Sequence, residues 1–537
     1  MRVRSRLTGT GGALVLAAGA AIMPGLGANA TVNNASLSPP PFAMSGLPAL
    51  TRGSSDRPAF EAASFAGVRL SSSRHRPAVG PNVNVIGSND VVQQATINGV
   101  SVRTCNPGVG AAQNETTIAA NPGDASNLVA GANDYRLYEP SENRYDASGG
   151  VYTSTDGGAN WTAGFLPGLV RANSAAPGPY ESAGDPAVAA GPAGTFWYAN
   201  LAFDRTDNAN AVAASRSTDG GTTWTTGYVF KTSAADGAKL FNDKEWVAGD
   251  PTNPDVAYVT WTEFFMGASG ATSSEVIVIS KTVDGGTTWS APVEVSSSPS
   301  LVSGDRKNTS GTTVTVDGSG VVRVTFEATS NGHDWVAYAT STDAGASFTT
   351  KLLAIIADIP SPLPGATYRN DSFPAFGMDG RTLHVVWSNW NGTNASILYI
   401  RSTDGGATWS SPVNISGSTG DQLFPWVAAA NGKVYATWFD RAAGGADTYS
   451  ISGVASTDGG GSWSAPVMVS TAVSDVSQGN RFGFPTCAAS FVGDYSGITV
   501  DNTGVAHSLW TDVRVEPSTS TDPGGTSQDP FTATLSS

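Results

Sequence analysis

Ser402-Thr403-Asp404-Gly405-Gly406-Ala407-Thr408-Trp409 is one of six copies of a single eight-residue pattern. Ser154 to Trp161, Ser217 to Trp224, Thr282 to Trp289, Ser341 to Phe348 and Ser456 to Trp463 are the others. Their aspartates are Asp156, Asp219, Asp284, Asp343, Asp404 and Asp458, at intervals of 63, 65, 59, 61 and 54 residues. One turn signature at such a regular interval marks stacked supersecondary units. Each copy reads as a tight turn between two strands. The carboxylate can accept from the turn's own backbone N–H groups. The glycines supply positive φ without steric cost, and the closing Trp can bury a large apolar surface where units meet.

The rest of the composition agrees with this. The 537 residues include 63 Gly, and only 14% are charged. No long segment has a helical apolar period, so an all-β protein with many turns is expected. A net charge of −15 argues against nucleic acid and anionic membrane surfaces as partners. Residues 1–30 read as a secretory signal: Arg2, Arg4 and Arg6 precede an apolar run from Ala13 to Ile22, and Ala28-Asn29-Ala30 reads as its cleavage site. Cleavage there removes three Arg and takes the net charge from −15 to −18. The run is too short for a membrane span and no later segment qualifies. A secreted, extracellular, monomeric product is expected. Residues 31–80, with Ser38-Pro39-Pro40-Pro41 and Ser71-Ser72-Ser73, read as a low-complexity linker or pro-region. Residues 81–537 are left for the repeats.

Aligned, the repeats have innermost strands starting near Asn114-Glu115, Gly184-Asp185, Asp243-Lys244-Glu245, Lys307-Asn308, Asn370-Asp371, Asp421-Gln422 and Gly493-Asp494. That is seven starts for six boxes. The seventh unit lacks both a box and a fourth strand. Asn82 to Ser88 resembles Pro412 to Ser418, the strand after a box, yet no box precedes it. The expected fold is therefore a seven-bladed β-propeller of four-stranded antiparallel sheets, closed by an N-terminal strand completing the last blade. Such closure leaves no exposed edge. Cys105 and Cys487 would then lie beside the closing junction, and export makes a disulfide between them reasonable. The second strands share a register at Trp261-Thr262-Glu263, Trp387-Ser388-Asn389, Trp438-Phe439-Asp440 and Trp510-Thr511-Asp512. These aromatics read as core.

The pattern S/T-x-D-x-G-x-x-W resembles the Asp-box of the sialidase superfamily, also called the BNR repeat. The resemblance covers roughly residues 82–537. It implies boxes on the propeller face away from the active site, and a glycan-directed exo-hydrolase. In that family three Arg grip the sugar carboxylate, an Asp is acid/base, and a Tyr activated by a Glu attacks. This chain departs from the family at the first blade. Gln113-Asn114-Glu115-Thr116-Thr117-Ile118 stands where Arg-Ile-Pro or a close variant is usual.

The opposite face collects acids. Glu115, Asp185, Glu245, Asp371, Asp421 and Asp494 lie at innermost-strand starts, and Asp134, Asp204, Glu263, Asp440 and Asp512 at second-strand ends. Arg136, Arg205, Arg441 and Arg514 follow the second strands, while Arg306 and Arg369 precede innermost strands. Either each Arg neutralises its own blade's Asp, or the group forms a polar ligand site in which paired carboxyls act as acid and base on a glycosidic bond. Asp185 or Asp371 is the first choice for the acid, with Tyr495 and Glu245 as further catalytic candidates. Arg205, Arg369 and Arg441 are candidates for anchoring substrate, joined by Arg136, Arg514 and Asp494.

The expectation is a sialidase-like glycoside hydrolase acting on terminal sugars of extracellular glycans or glycoproteins, exo-α-sialidase action included. One alternative is a non-catalytic glycan- or protein-binding propeller using the same funnel. Another is a polysaccharide lyase on this scaffold, for which His333 beside Asp334 is the suggestive feature. His384 and His507 fall at matching second-strand positions and read as packing. No motif demands a cofactor, although calcium would find hard oxygen ligands in the acid ring.

Overall fold

The computed structural model describes residues 76–267, 272–296, 309–417, 419–443, 445–514 and 527–537. The signal at 1–30, most of the linker, Arg306 and the strand start at Lys307-Asn308 lie outside the described residues. The described chain forms seven antiparallel sheets and one small hairpin. Blade 1 begins with Gln113–Asn121, blade 2 with Ser182–Ala190, blade 3 with Leu240–Gly249 and blade 4 with Thr309–Val316. Blade 5 begins with Ala375–Asp379, blade 6 with Gln422–Ala430 and blade 7 with Gly497–Val500. In each blade the next strands in sequence pair outward in order.

Blade 7 is completed from the other end of the chain. Its third strand, Asp529–Ser536, pairs with Ala78–Val79 and Val83–Asn84 through Val79↔Leu535 and Val83↔Thr532. The closing strand therefore starts at Ala78, ahead of Asn82. Nearby, Cys105 and Cys487 are disulfide-bonded across 382 residues. The segments they belong to also exchange backbone and side-chain bonds, such as Arg481 N to Asn106 Oδ1 at 2.7 Å. Closure thus has a covalent and a hydrogen-bonded component.

The boxes fold as their chemistry predicts. Ser402 Oγ donates to Asp404 Oδ1 at 2.7 Å and accepts from Gly406 N at 2.8 Å. Asp404 also accepts from Thr408 N at 2.9 Å and Thr408 Oγ1 at 2.6 Å. Those donors hold its carboxyl well below the usual range. Gly406 has φ +93°, and a Cβ there would lie 2.4 Å from Tyr338 Oη of blade 4. Only glycine allows both. Trp409 meets the Tyr338 ring edge-on at 5.2 Å, and Trp463 meets Tyr399 of blade 5 at 4.9 Å. The box turns thus supply aromatic contacts between consecutive blades. Trp261, Trp387, Trp438 and Trp510 of the second strands are fully buried, as core.

Candidate active site

Because the strands alternate in direction, innermost-strand starts and second-strand ends lie at one end of the ring, and the box turns at the other. The innermost strands share a deformation at the first end. Their pairing with the second strand slips at Asn114/Thr117, at Asp243/Trp246, at Ser310/Thr313 and at Leu423/Trp426. Blade 2 slips opposite Asp185-Pro186. The residue in each bulge adopts positive φ: 55° at Glu115, 51° at Asp185, 54° at Lys244, 68° at Gly311 and 51° at Phe424. Bulges re-aim side chains and are common beside functional sites. Here they turn successive blades inward. Gly311 is needed for a second reason, since a Cβ there would sit 2.4 Å from the Phe373 ring.

Sequence alignment grouped Glu245 with Glu115 and Asp185. The register places Lys244 there instead, because the bulge holds Glu115 and Thr116 in blade 1, Asp185 and Pro186 in blade 2, and Lys244 and Glu245 in blade 3. Asp371 and Asp494 lie just before the paired strands of blades 5 and 7, which start at Ala375 and Gly497.

A cavity opens among these starts, lined by Lys244, Glu245, Trp246, Asp371, Trp426, Asp494 and Tyr495 with their neighbours. Its volume is about 30 Å³, and it is partly open to solvent. That volume suits a water or two, or one sugar hydroxyl group, rather than a whole ring. Trp246 and Trp426 pack at 4.8 Å between ring centroids, with Tyr495 at 5.8 and 6.0 Å from them. This aromatic trio forms one wall.

The carboxyls behind it are linked in series. Asp185 and Asp494 both act on Glu115, and Asp243 acts on Asp185. A buried carboxyl beside another is driven to keep its proton. Accordingly, burial first, then Asp185, pushes Glu115 well above the usual range. Burial, then Asp243, does the same to Asp185, and burial, then Asp185, to Glu245. Asp371, half-buried at the cavity, is raised by burial and then by Asp494 to about 8. Asp494 goes the other way. Burial works to raise it, but Arg369 and Lys244 outweigh burial and hold it ionised.

The remaining candidates are dispersed. Arg369 grips Asp494 with Nε to Oδ1 at 2.8 Å and Nη2 to Oδ2 at 2.5 Å. Arg205 makes a two-point pair with Asp146 of blade 1, at 2.5 and 2.8 Å. Arg441 pairs with Asp421 at 2.9 Å, Arg136 with Asp134 at 2.7 Å and Arg514 with Asp512 at 2.6 Å. Of these five arginines, Arg369 is bonded to a carboxylate that lines the cavity. The Tyr495 hydroxyl donates to the Pro186 carbonyl at 3.1 Å, and burial, then Glu115, pushes its pKa well up. His384 bonds Tyr399 at 2.8 Å and His507 bonds Asp501 at 3.0 Å, both buried.

No three carboxylates of the acid ring approach closely enough to share a cation, among the described residues. Glu327, Asp334 and Asp358 of blade 4 do, with ligand oxygens within 4.8 Å of one another. Three features were missed by sequence reasoning: Lys244, the Trp246–Trp426 wall and the cross-blade partners of Arg205 and Arg369. A cation within an acidic run, at Asp243-Lys244-Glu245, was the one visible signal.

No family model and no curated protein matches the chain. Among solved structures it is similar to the Hadza microbial sialidase Hz136, at 12% identity and TM-score 0.44, covering 87% of this chain and 97% of that one. It is also similar to an α-L-arabinanase from Penicillium chrysogenum complexed with arabinobiose, at 14% identity and TM-score 0.42, covering 67% and 94%. The NanB sialidase from Streptococcus pneumoniae aligns at 10% identity and TM-score 0.42, covering 86% and 98%. The class that fold and site define is a closed seven-bladed propeller with a carboxyl-lined cavity at the innermost-strand starts.

Proposed function

We propose that this is a secreted glycoside hydrolase that acts on the terminal sugar of an extracellular glycan, with Asp371 as proton donor. One observation carries the reading: Asp371 and Asp494 line the same cavity in opposite protonation states. A carboxyl kept protonated near neutral pH beside an ionised one is the arrangement that glycosidic cleavage requires. Asp371 would protonate the leaving oxygen, while the Asp494 charge would stabilise the developing oxocarbenium ion. Arg369 and Lys244 keep Asp494 ionised. The cavity's small volume, about 30 Å³, favours attack at a chain end, because a terminal group can enter while the rest of the glycan stays outside. The disulfide fits an oxidising, extracellular setting, and among the described residues no helix is long and apolar enough to cross a membrane. The test is hydrolysis of a panel of aryl α- and β-glycosides, sialosides included. Turnover of at least one, abolished in Asp371→Asn, is expected. A folded protein inert on the whole panel would remove the reading.

Binding without turnover is the second reading. Its support is the commitment of Arg205, Arg369 and Arg441 to carboxylates, which leaves these three candidates unassembled as a clamp for a sugar acid. Glycan binding with no hydrolysis would favour it.

A further inference from the structure

Three carboxyls of blade 4 meet at its cavity end. The second strand, Val322–Ser330, carries Glu327, and the third, His333–Ser341, carries Asp334. Asp358 lies two residues beyond the fourth, Thr349–Ile356. The register puts all three on one face of the sheet. Asp334 stands opposite Thr329 and opposite Ile356. Glu327 is two residues before Thr329 and Asp358 two after Ile356, and residues two apart share a face. Their ligand oxygens lie within 4.8 Å of one another. Glu327 is 7% exposed, Asp334 is half-buried and Asp358 is exposed, so solvent reaches the group from the Asp358 side.

Crowded acids alone do not make a site, but Glu327 adds a second observation. Among the described residues no donor bonds its buried carboxyl and no cation pairs with it. Asp334, by contrast, accepts from Thr329 Oγ1 at 2.6 Å. Burial, then Asp358 and Asp334, pushes Glu327 well above the usual range, and Asp371 and Glu275 add to the same effect. A proton would remove the charge yet leave a buried polar group without a partner, which is costly. A cation among the three would satisfy Glu327 and relieve the crowding together.

The ligand chemistry indicates which cation. All three groups offer hard oxygens. Oxygens on opposite sides of a calcium ion stand about 4.6–5.2 Å apart, so a group gathered within 4.8 Å accommodates one. Calcium also tolerates an irregular set of about six to eight oxygens, waters included, whereas magnesium needs a near-ideal octahedron and sheds water reluctantly.

We propose that Glu327, Asp334 and Asp358 bind one calcium ion, which fastens the segment after the fourth strand of blade 4 to the sheet. That segment is also tied toward Asp371, because Ile359 N donates to Ser372 Oγ at 3.1 Å. The test uses the full chain stripped with EDTA, in salt of about 0.15 M to screen non-specific attraction, with calcium chloride and magnesium chloride as probes. Equilibrium dialysis should read one calcium ion per chain at millimolar affinity or tighter, and calcium should raise the thermal midpoint. Magnesium should bind at least about tenfold more weakly. Glu327→Gln keeps the shape and removes the ligand charge. It should weaken calcium binding about tenfold or more and abolish the calcium-dependent rise. Three results would overturn the proposal: no calcium bound by wild type, calcium and magnesium bound alike, or calcium bound by Glu327→Gln as tightly as by wild type. Should Glu327→Gln fail to fold, Asp358→Asn, at an exposed position, takes its place with the same expectations. No glycan enters these measurements, so their outcome is separate from that of the hydrolase reading.

Discussion

Arg369 and Asp494 form a two-point ion pair that joins the loop entering blade 5 to the start of blade 7, with contacts of 2.8 and 2.5 Å. The guanidinium also lies 4.5 Å over the Phe491 ring. Asp494 is thereby fixed as a buried carboxylate at the cavity wall. Removing the guanidinium would leave it with Lys244, 3.7 Å away and beyond hydrogen-bond length, as its remaining partner. Arg369→Met should therefore cost about 3–5 kcal/mol by chemical denaturation. Arg369→Lys should cost less in stability while still lowering activity, because an ammonium cannot reproduce the forked contact. A neutral effect of Arg369→Met on both would show that the pair is incidental.

Glu275 gives a prediction about pH. It is buried in blade 3, and burial alone pushes its carboxyl up to about 8. The folded state therefore keeps a proton that the unfolded state releases near the usual value of 4.5. With more protons bound in the fold, stability falls as pH rises from about 4.5 to about 8, and levels off above. The slope from this group is at most about 1.4 kcal/mol per pH unit. Thermal midpoints between pH 5 and 8 should decline in wild type and decline less in Glu275→Gln. An unchanged slope in the variant would contradict the assignment.

The box aspartates act in the opposite sense. Asp404 and Asp284 are held low by the hydrogen bonds they accept, so their contribution is lost as pH falls below the usual carboxylate range. Gly406→Ala tests the box without touching charge. Positive φ and the approach to Tyr338 predict a loss of about 1–3 kcal/mol. Activity per folded molecule should be unchanged, because the boxes lie at the end of the ring away from the cavity.

The disulfide closes a loop of nearly the whole propeller. Paired Cys105→Ser and Cys487→Ser substitutions should lower stability by about 2–5 kcal/mol. They should also increase hydrogen exchange at Val83 and Thr532, which pair across the closing junction. Loss of stability without any effect at that junction would assign the disulfide to a local loop instead.

Legibility from sequence tracked the range of the interaction. Box turns, strand number and ring closure were readable because turn chemistry and alternation are local, and because one strand was left over at the start of the repeats and one was missing from the last unit. Arg136 with Asp134 and Arg514 with Asp512 are also local, two residues apart. Arg205 with Asp146 and Arg369 with Asp494 were not readable, since 59 and 125 residues separate the partners. Lys244 was obscured because Asp243-Lys244-Glu245 offers an acid on either side of it, and only the pairing register shows which of the three takes the bulge position held by Glu115 and Asp185. The protonation of Asp371 depends on burial and on Asp494 together, neither of which its own neighbours Asn370 and Ser372 announce.

The most direct test of the central claim compares wild type and Asp371→Asn on two glycosides of the same sugar, one with a methyl-type leaving group and one with 2,4-dinitrophenol. A proton donor is needed for the first and nearly dispensable for the second. The account predicts a loss of about 10²–10⁴-fold on the poor leaving group, a small loss on the good one, and a wild-type rate that falls as pH rises through about 8. Equal losses on both substrates, or full activity of Asp371→Asn on the poor one, would contradict it.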